Sequence, residues 1–137
     1  MDMARTKETM AEPVLLLIVE DEPLVRMVIA DFLRGGGFAV MEAGTADDAV
    51  GMLRRHEEIR LVVTDILMPG ALNGFDLAEW IGHHRPDVRV LLTSGYFNES
   101  HLPSRLNWSD RLIRKPYSLS EVARRITALL AEPAAES

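Results

Sequence analysis

The sequence predicts one doubly wound α/β domain, a five-stranded parallel sheet in the order 2-1-3-4-5 with helices on both faces. Three observations predict it. Five apolar runs are interspersed with helical patterns along the chain. The first run, Val14 to Val19, is apolar at every position, as a strand covered on both faces should be. Polar and charged residues directly follow the first, third and fourth runs, and Lys115 ends the fifth, at the edge where the crevice of an open α/β sheet lies. Right-handed crossovers leave few topologies, and the 2-1-3-4-5 order has its switch point between strands 1 and 3.

The elements follow in order. After strand 1, Pro23 suits a first helical turn, and Val25, Val28, Ile29, Phe32 and Leu33 form an apolar stripe ended by Gly35-Gly36-Gly37. Phe38 to Ala43 is the second strand. Thr45 caps the second helix, with Asp48 in the capping-box position and Ala46, Ala49, Val50 and Leu53 as its stripe. Arg60 to Thr64 is the third strand, ending at Asp65. A loop with Pro69, Gly70, Asn73 and Gly74 leads to a helix marked by Leu77, Ala78 and Ile81. Val88 to Thr93 is the fourth strand and Arg111 to Lys115 the fifth; between them, Pro103 interrupts any helix through Leu102 and Leu106. Ser118 and Glu121 cap a last helix with Val122, Ile126, Leu129 and Leu130 as its stripe. Residues 1–13 read as a flexible tail, 14–131 as the domain and 132–137 as a frayed end.

Composition bounds the function. A chain of 137 residues, 47 % apolar and 26 % charged, suits one globular domain with its own core. It has no cysteine, which excludes disulfides, thiolate metal sites and cysteine catalysis and fits a cytoplasmic setting. The net charge of −6 disfavours direct binding to nucleic acid. No apolar run is long enough to span a bilayer, so no membrane association is expected.

The chemistry lies at one sheet edge. Glu20 and Asp21 follow strand 1 and Asp65 follows strand 3, so three carboxylates converge at the switch point. Ser94 follows strand 4, and Lys115, with Pro116 after it, ends strand 5. Alone, each residue reads as a helix cap or a solvated loop group. Together, the carboxylates repel one another, and a divalent cation removes that cost. Oxygen ligands without His or Cys favour Mg²⁺ or Mn²⁺. Lys115 adds positive charge and Ser94 a hydroxyl, an arrangement that neutralises a phosphoryl group and sets it in line with the Asp65 carboxylate as nucleophile.

The motifs Leu17-Ile18-Val19-Glu20-Asp21-Glu22-Pro23, Val63-Thr64-Asp65-Ile66-Leu67-Met68-Pro69, Asn73-Gly74, Leu92-Thr93-Ser94-Gly95-Tyr96 and Lys115-Pro116-Tyr117 stand in order over Val14 to Leu130. In them the chain resembles the receiver domains of two-component response regulators, which have a flavodoxin-like fold. The resemblance implies that Asp65 accepts the phosphoryl group. It implies that Glu20, Asp21, Asp65 and the backbone carbonyl of Leu67 hold Mg²⁺, that Ser94 is the switch hydroxyl, and that Lys115 is the family's lysine. It implies phosphoryl transfer from a sensor histidine kinase or a histidine phosphotransfer protein, and an unnamed protein target downstream. No output domain is expected after Leu130, which points to a single-domain regulator or an excised receiver. The chain departs from the family in a loop one residue longer between Pro69 and Gly74, in Ser for Thr at 94, in Leu112 where Tyr or Phe is common, and in residues 98–110, which lack the usual fourth helix.

A flavin-binding electron carrier on the same fold needs an uncharged, donor-rich loop after strand 1, and Glu20, Asp21 and Glu22 would repel its phosphate. A dehalogenase-type phosphatase needs its nucleophilic Asp after the first strand, in an Asp-x-Asp pattern that is absent here. His83 and His84 read as surface residues, and His56 and His101 are lone residues without ligand partners in spacing; Trp80 reads as helix packing.

Overall fold

The structure is a computed structural model that describes residues 12–68, 70–95 and 111–133. Pro69, Tyr96, His101, Trp108, the stretch 98–110 and most of both tails lie outside the described residues. The elements are β1 (Leu15–Val19), α1 (Pro23–Gly35), β2 (Ala39–Ala43), α2 (Ala46–Arg55), β3 (Ile59–Asp65), α3 (Gly74–His84), β4 (Arg89–Ser94), β5 (Leu112–Arg114) and α4 (Leu119–Ala131). The strands form one sheet in the order β2-β1-β3-β4-β5, and every pairing is parallel. Strand limits differ from the sequence reading by no more than a residue or so at each end.

The sheet divides the apolar interior in two, because alternate side chains of a strand point to opposite faces. Leu17, Val19, Val62, Val90 and Leu92 face α2 and α3, meeting Ala49, Leu53, Leu77 and Ile81. Leu16, Ile18, Leu61, Val63 and Leu91 face α1 and α4, meeting Ile29, Leu33, Val122 and Ile126. The central strands are therefore apolar at nearly every position, which is why they read as unbroken runs.

The stripe expected on α1 is corrected. Ile29, Leu33 and Ala30 are buried, but Val25, Val28 and Phe32 are exposed, as are Leu24 and Met27. The helix is apolar around most of its circumference, so periodicity alone does not orient it. Its buried side is set by the packing of Ile29 and Leu33 on the sheet beside α4. Of the other stripes, Val50, Ala78 and Leu130 lie only partly buried at the margins of the cores.

The N-caps form as expected, but among the described residues the reciprocal half of the capping boxes expected at Thr45–Asp48 and Ser118–Glu121 does not. Thr45 Oγ1 accepts from Asp48 N at 3.0 Å and Ser118 Oγ from Glu121 N at 3.0 Å. A reciprocal capping box forms at α3, where Asn73 Oδ1 accepts from Asp76 N at 2.9 Å and Asp76 Oδ2 from Asn73 N at 3.0 Å. Asn73-Gly74 reads as a turn in sequence and is the start of a helix.

Arg85, at the end of α3, closes the turn between α2 and β3. Its guanidinium donates to the carbonyls of Leu53 (2.6 Å), His56 (3.3 Å), Glu57 (3.0 Å) and Ile59 (3.2 Å). These include carbonyls from the open end of α2, which has no helical partner for them. Arg85→Ala removes their donor and should lower stability by about 2 kcal/mol, seen as a lower urea midpoint with an unchanged slope.

Candidate functional site

The register brings the strand ends together. Val19 of β1 lies opposite Thr64 of β3, Asp65 opposite Thr93 of β4, and Ser94 opposite Arg114 of β5. Main-chain bonds continue the sheet just past the strands: Glu20 N to Ala43 O at 3.1 Å, Ile66 N to Thr93 O at 3.0 Å, and Lys115 N to Ser94 O at 2.7 Å. Glu20, Asp21, Asp65, Ser94 and Lys115 thus all stand at the carboxyl edge, over the switch point between β1 and β3.

One oxygen each from Glu20, Asp21 and Asp65 lies within 4.8 Å of the others. Glu20 and Asp65 are buried, whereas Asp21 is exposed. Glu20 Oε2 accepts from Glu22 N at 3.2 Å. Lys115 Nζ donates to Asp65 Oδ2 at 3.1 Å. Thr64 Oγ1 donates to the Asp65 carbonyl at 3.0 Å. Ser94 Oγ is buried and has no hydrogen-bonding partner among the described residues, an arrangement that normally needs a ligand or water to satisfy it. The Lys115–Pro116 peptide is cis. The Leu67 side chain is exposed in the loop after β3.

Among the described residues the donor set is three carboxylates without nitrogen or sulfur, which suits a hard divalent cation such as Mg²⁺. The unsatisfied Ser94 hydroxyl and the Lys115 ammonium suit an anionic oxygen beside it. The residues present therefore fit both a cation and a phosphoryl group.

Burial pushes the Glu20 carboxyl above its ordinary value, and the charges of Asp65 and Asp21 add to this; the bond from Glu22 N and the charge of Lys115 oppose it. Burial acts to lower Lys115, but the bond to Asp65 and the charges of Asp65 and Glu20 outweigh it, so the ammonium is held above its usual range. It stays charged at neutral pH.

The Glu20 shift has a signed consequence. A carboxyl with a raised folded-state pKa stabilises the fold below its unfolded value, and that contribution is lost as pH rises through the folded value. In chelator, Glu20→Gln should therefore melt above the wild type at neutral pH, with the gap closing as pH falls to about 4. Thermal scans across pH check this; a gap that does not narrow in acid would exclude burial of the Glu20 charge as its cause.

Gly74 is part of the site in a way that its sequence context did not disclose. A Cβ at this position would stand 2.7 Å from Ile66 Cα and 3.0 Å from the Asp65 carbonyl carbon. Gly74 N also donates to Ile66 O at 2.8 Å. The first residue of α3 thus packs directly on the main chain that carries Asp65.

Comparison with known proteins gives one consistent answer. The family model for the response regulator receiver domain matches residues 16–127. The probable transcriptional regulatory protein TcrX of Mycobacterium tuberculosis is 31 % identical over 120 residues, covering 87 % of this chain and 50 % of that protein. The transcriptional regulatory protein PdtaR of the same organism is 34 % identical over 137 residues, covering 90 % and 65 %. The chain thus spans half to two thirds of these relatives' length. Among solved structures, response regulator TrrA from Thermotoga maritima, in complex with Mg(2+)-BeF, is 26 % identical with a TM-score of 0.71, covering 84 % of this chain and 97 % of that one. The receiver domain of hybrid histidine kinase CckA is 28 % identical with a TM-score of 0.70, covering 85 % and 98 %.

Proposed function

This chain belongs to the family of response regulator receiver domains, phosphoacceptor modules of two-component signalling rather than true enzymes, and from that premise we propose that Asp65 is the residue phosphorylated. The donor is a phosphohistidine on a sensor kinase or phosphotransfer protein. A carboxylate oxygen of Asp65 attacks the phosphorus, and the P–N bond to the donor imidazole breaks as the P–O bond forms. The electron pair of that bond stays on the imidazole nitrogen. The observation that carries this reading is the convergence on Asp65 of Lys115, at 3.1 Å, and of two further carboxylates.

Glu20, Asp21, Asp65 and the Leu67 carbonyl would hold Mg²⁺ or Mn²⁺, which when bound supplies charge neutralisation for phosphoryl oxygens. Lys115 neutralises the same charge from the β5 side. Ser94 donates its otherwise unpaired hydroxyl to a phosphoryl oxygen. That bond exists only in the phosphorylated state, so it biases the equilibrium between two conformations, and a protein partner reads the result.

A protein donor is supported by the surface beside the site. α1 begins just after Asp21 and exposes Leu24 (69 %), Val28 (51 %) and Phe32 (40 %), an apolar strip of the kind that marks protein contacts. No helix among the described residues is long and apolar enough to cross a membrane.

The test is intact-mass analysis of the wild type after incubation with acetyl phosphate. One added phosphoryl group that requires Mg²⁺ is expected. An adduct that forms equally well in chelator would count against the acidic trio as the cation site. Ser94→Ala should still accept the group but lose the shift in amide resonances that accompanies it.

A further inference from the structure

Asp21 is the exposed member of the acidic trio, so its placement depends strongly on the main chain that precedes it. The peptide linking Glu20 to Asp21 has its carbonyl oxygen held by Arg26 Nη1 at 2.7 Å. The Glu20 N–H is fixed separately on Ala43 O. Arg26 lies in the first turns of α1 and is only 21 % exposed. Its Nε donates to Glu42 Oε1 on β2 at 3.3 Å, and the other oxygen of Glu42 accepts from Arg34 Nη2 at 3.1 Å. Glycine at 44 leaves space for the guanidinium, since a Cβ there would come within 3.3 Å of Arg26 Nη1. A pairing with Glu42 alone would be an ordinary surface ion pair of small energetic value. The fork instead spends a second donor on the one carbonyl that orients Asp21.

We propose that Arg26 is a positioning residue of the divalent-cation site, acting on Asp21 through the Glu20 carbonyl. This rests on the reading of Glu20, Asp21 and Asp65 as that site. Charge and position make opposite demands here. A guanidinium near a bound cation repels it, so if only charge mattered, removing Arg26 would tighten binding. If Arg26 holds the Glu20–Asp21 peptide, removing it weakens binding, as loss of an outer-shell partner does. The sign of the change decides between them.

The experiment titrates Mn²⁺ alone into the full chain and follows the free aqueous ion by electron paramagnetic resonance. The proteins are wild type, Arg26→Met, Arg26→Lys and Asp21→Asn, each checked for its fold by circular dichroism. Met keeps the aliphatic stem without donors; Lys keeps the charge without the fork. Wild type should bind one ion, and Asp21→Asn should lose most of that binding. Arg26→Met should bind roughly tenfold more weakly, and Arg26→Lys should fall between it and wild type. A folded Arg26→Met that binds as well as wild type, or better, would overturn the proposal while leaving the cation site intact. If Arg26→Met does not fold, Arg26→Lys decides alone, with unchanged affinity overturning the proposal. No binding by the wild type would overturn the cation site itself, and this inference with it.

Discussion

Asp65→Ala should take up no phosphoryl group from acetyl phosphate under conditions that modify the wild type stoichiometrically. Three carboxylates stand in the pocket, so the assignment of one nucleophile is a real choice. Glu20 is buried, with Oε2 already accepting from Glu22 N. Asp21 is exposed. Asp65 is buried and is the one paired with Lys115, at 3.1 Å. A group attached there has an ammonium and the unsatisfied Ser94 hydroxyl available at the same edge. The variant should still fold, since removing one carboxylate relieves repulsion on Glu20, whose ionisation Asp65 disfavours. Intact mass gives the modification and circular dichroism the fold. A phosphoryl adduct on a folded Asp65→Ala would move the chemistry to another carboxylate and refute the assignment.

Gly74→Ala should be among the most damaging single-methyl additions in the molecule. Its Cβ would overlap the Asp65 carbonyl group and lie 2.7 Å from Ile66 Cα, atoms of the main chain that cannot rotate aside. Relief requires α3 to move away from β3, opening the contacts of Leu77 and Ile81 with the sheet. Overpacking of this kind costs about 3 kcal/mol, which for a chain of this length is a fall of about 10 °C in melting temperature. Phosphorylation should fall too, because the displaced peptide carries the proposed acceptor. Gly82 in the same helix is the control: a Cβ there meets nothing within 4 Å. Gly82→Ala should raise stability by about 0.5–1 kcal/mol. Thermal scans of both variants check the pair; a Gly74→Ala as stable as wild type would mean that α3 is not seated on the Asp65 main chain.

The sheet order and the edge at which the polar residues gather were legible because each rests on a strong local signal. Leu16 to Val19 and Leu61 to Val63 are apolar without alternation, which only strands buried on both faces require. Placing Glu20, Asp21 and Asp65 directly after such strands then follows from topology. The buried face of α1 was less legible, because Val25, Val28 and Phe32 are as apolar as Ile29 and Leu33 and only packing distinguishes them. The capping box at Asn73 was hidden by its own composition, since Asn-Gly is a strong turn signal. Long-range bonds made by one side chain, such as Arg85 to Leu53 or Arg26 to the Glu20 carbonyl, have no periodic signature at all. Residues 98–110 offered conflicting helical and proline signals and lie outside the described residues.

Because β1 pairs with β3, the acidic pocket is assembled from segments that a ribosome makes far apart in time. All of α1, β2 and α2 is synthesised between Asp21 and Asp65. The nascent amino-terminal portion, however well its helices form, has no complete ligand set until β3 closes that loop, a step with its own entropic cost. A cation that binds the finished pocket therefore stabilises a non-local pairing in particular. Amide exchange in β1 and β3 should slow together on adding Mg²⁺, because their opening and the loss of the ion are one event.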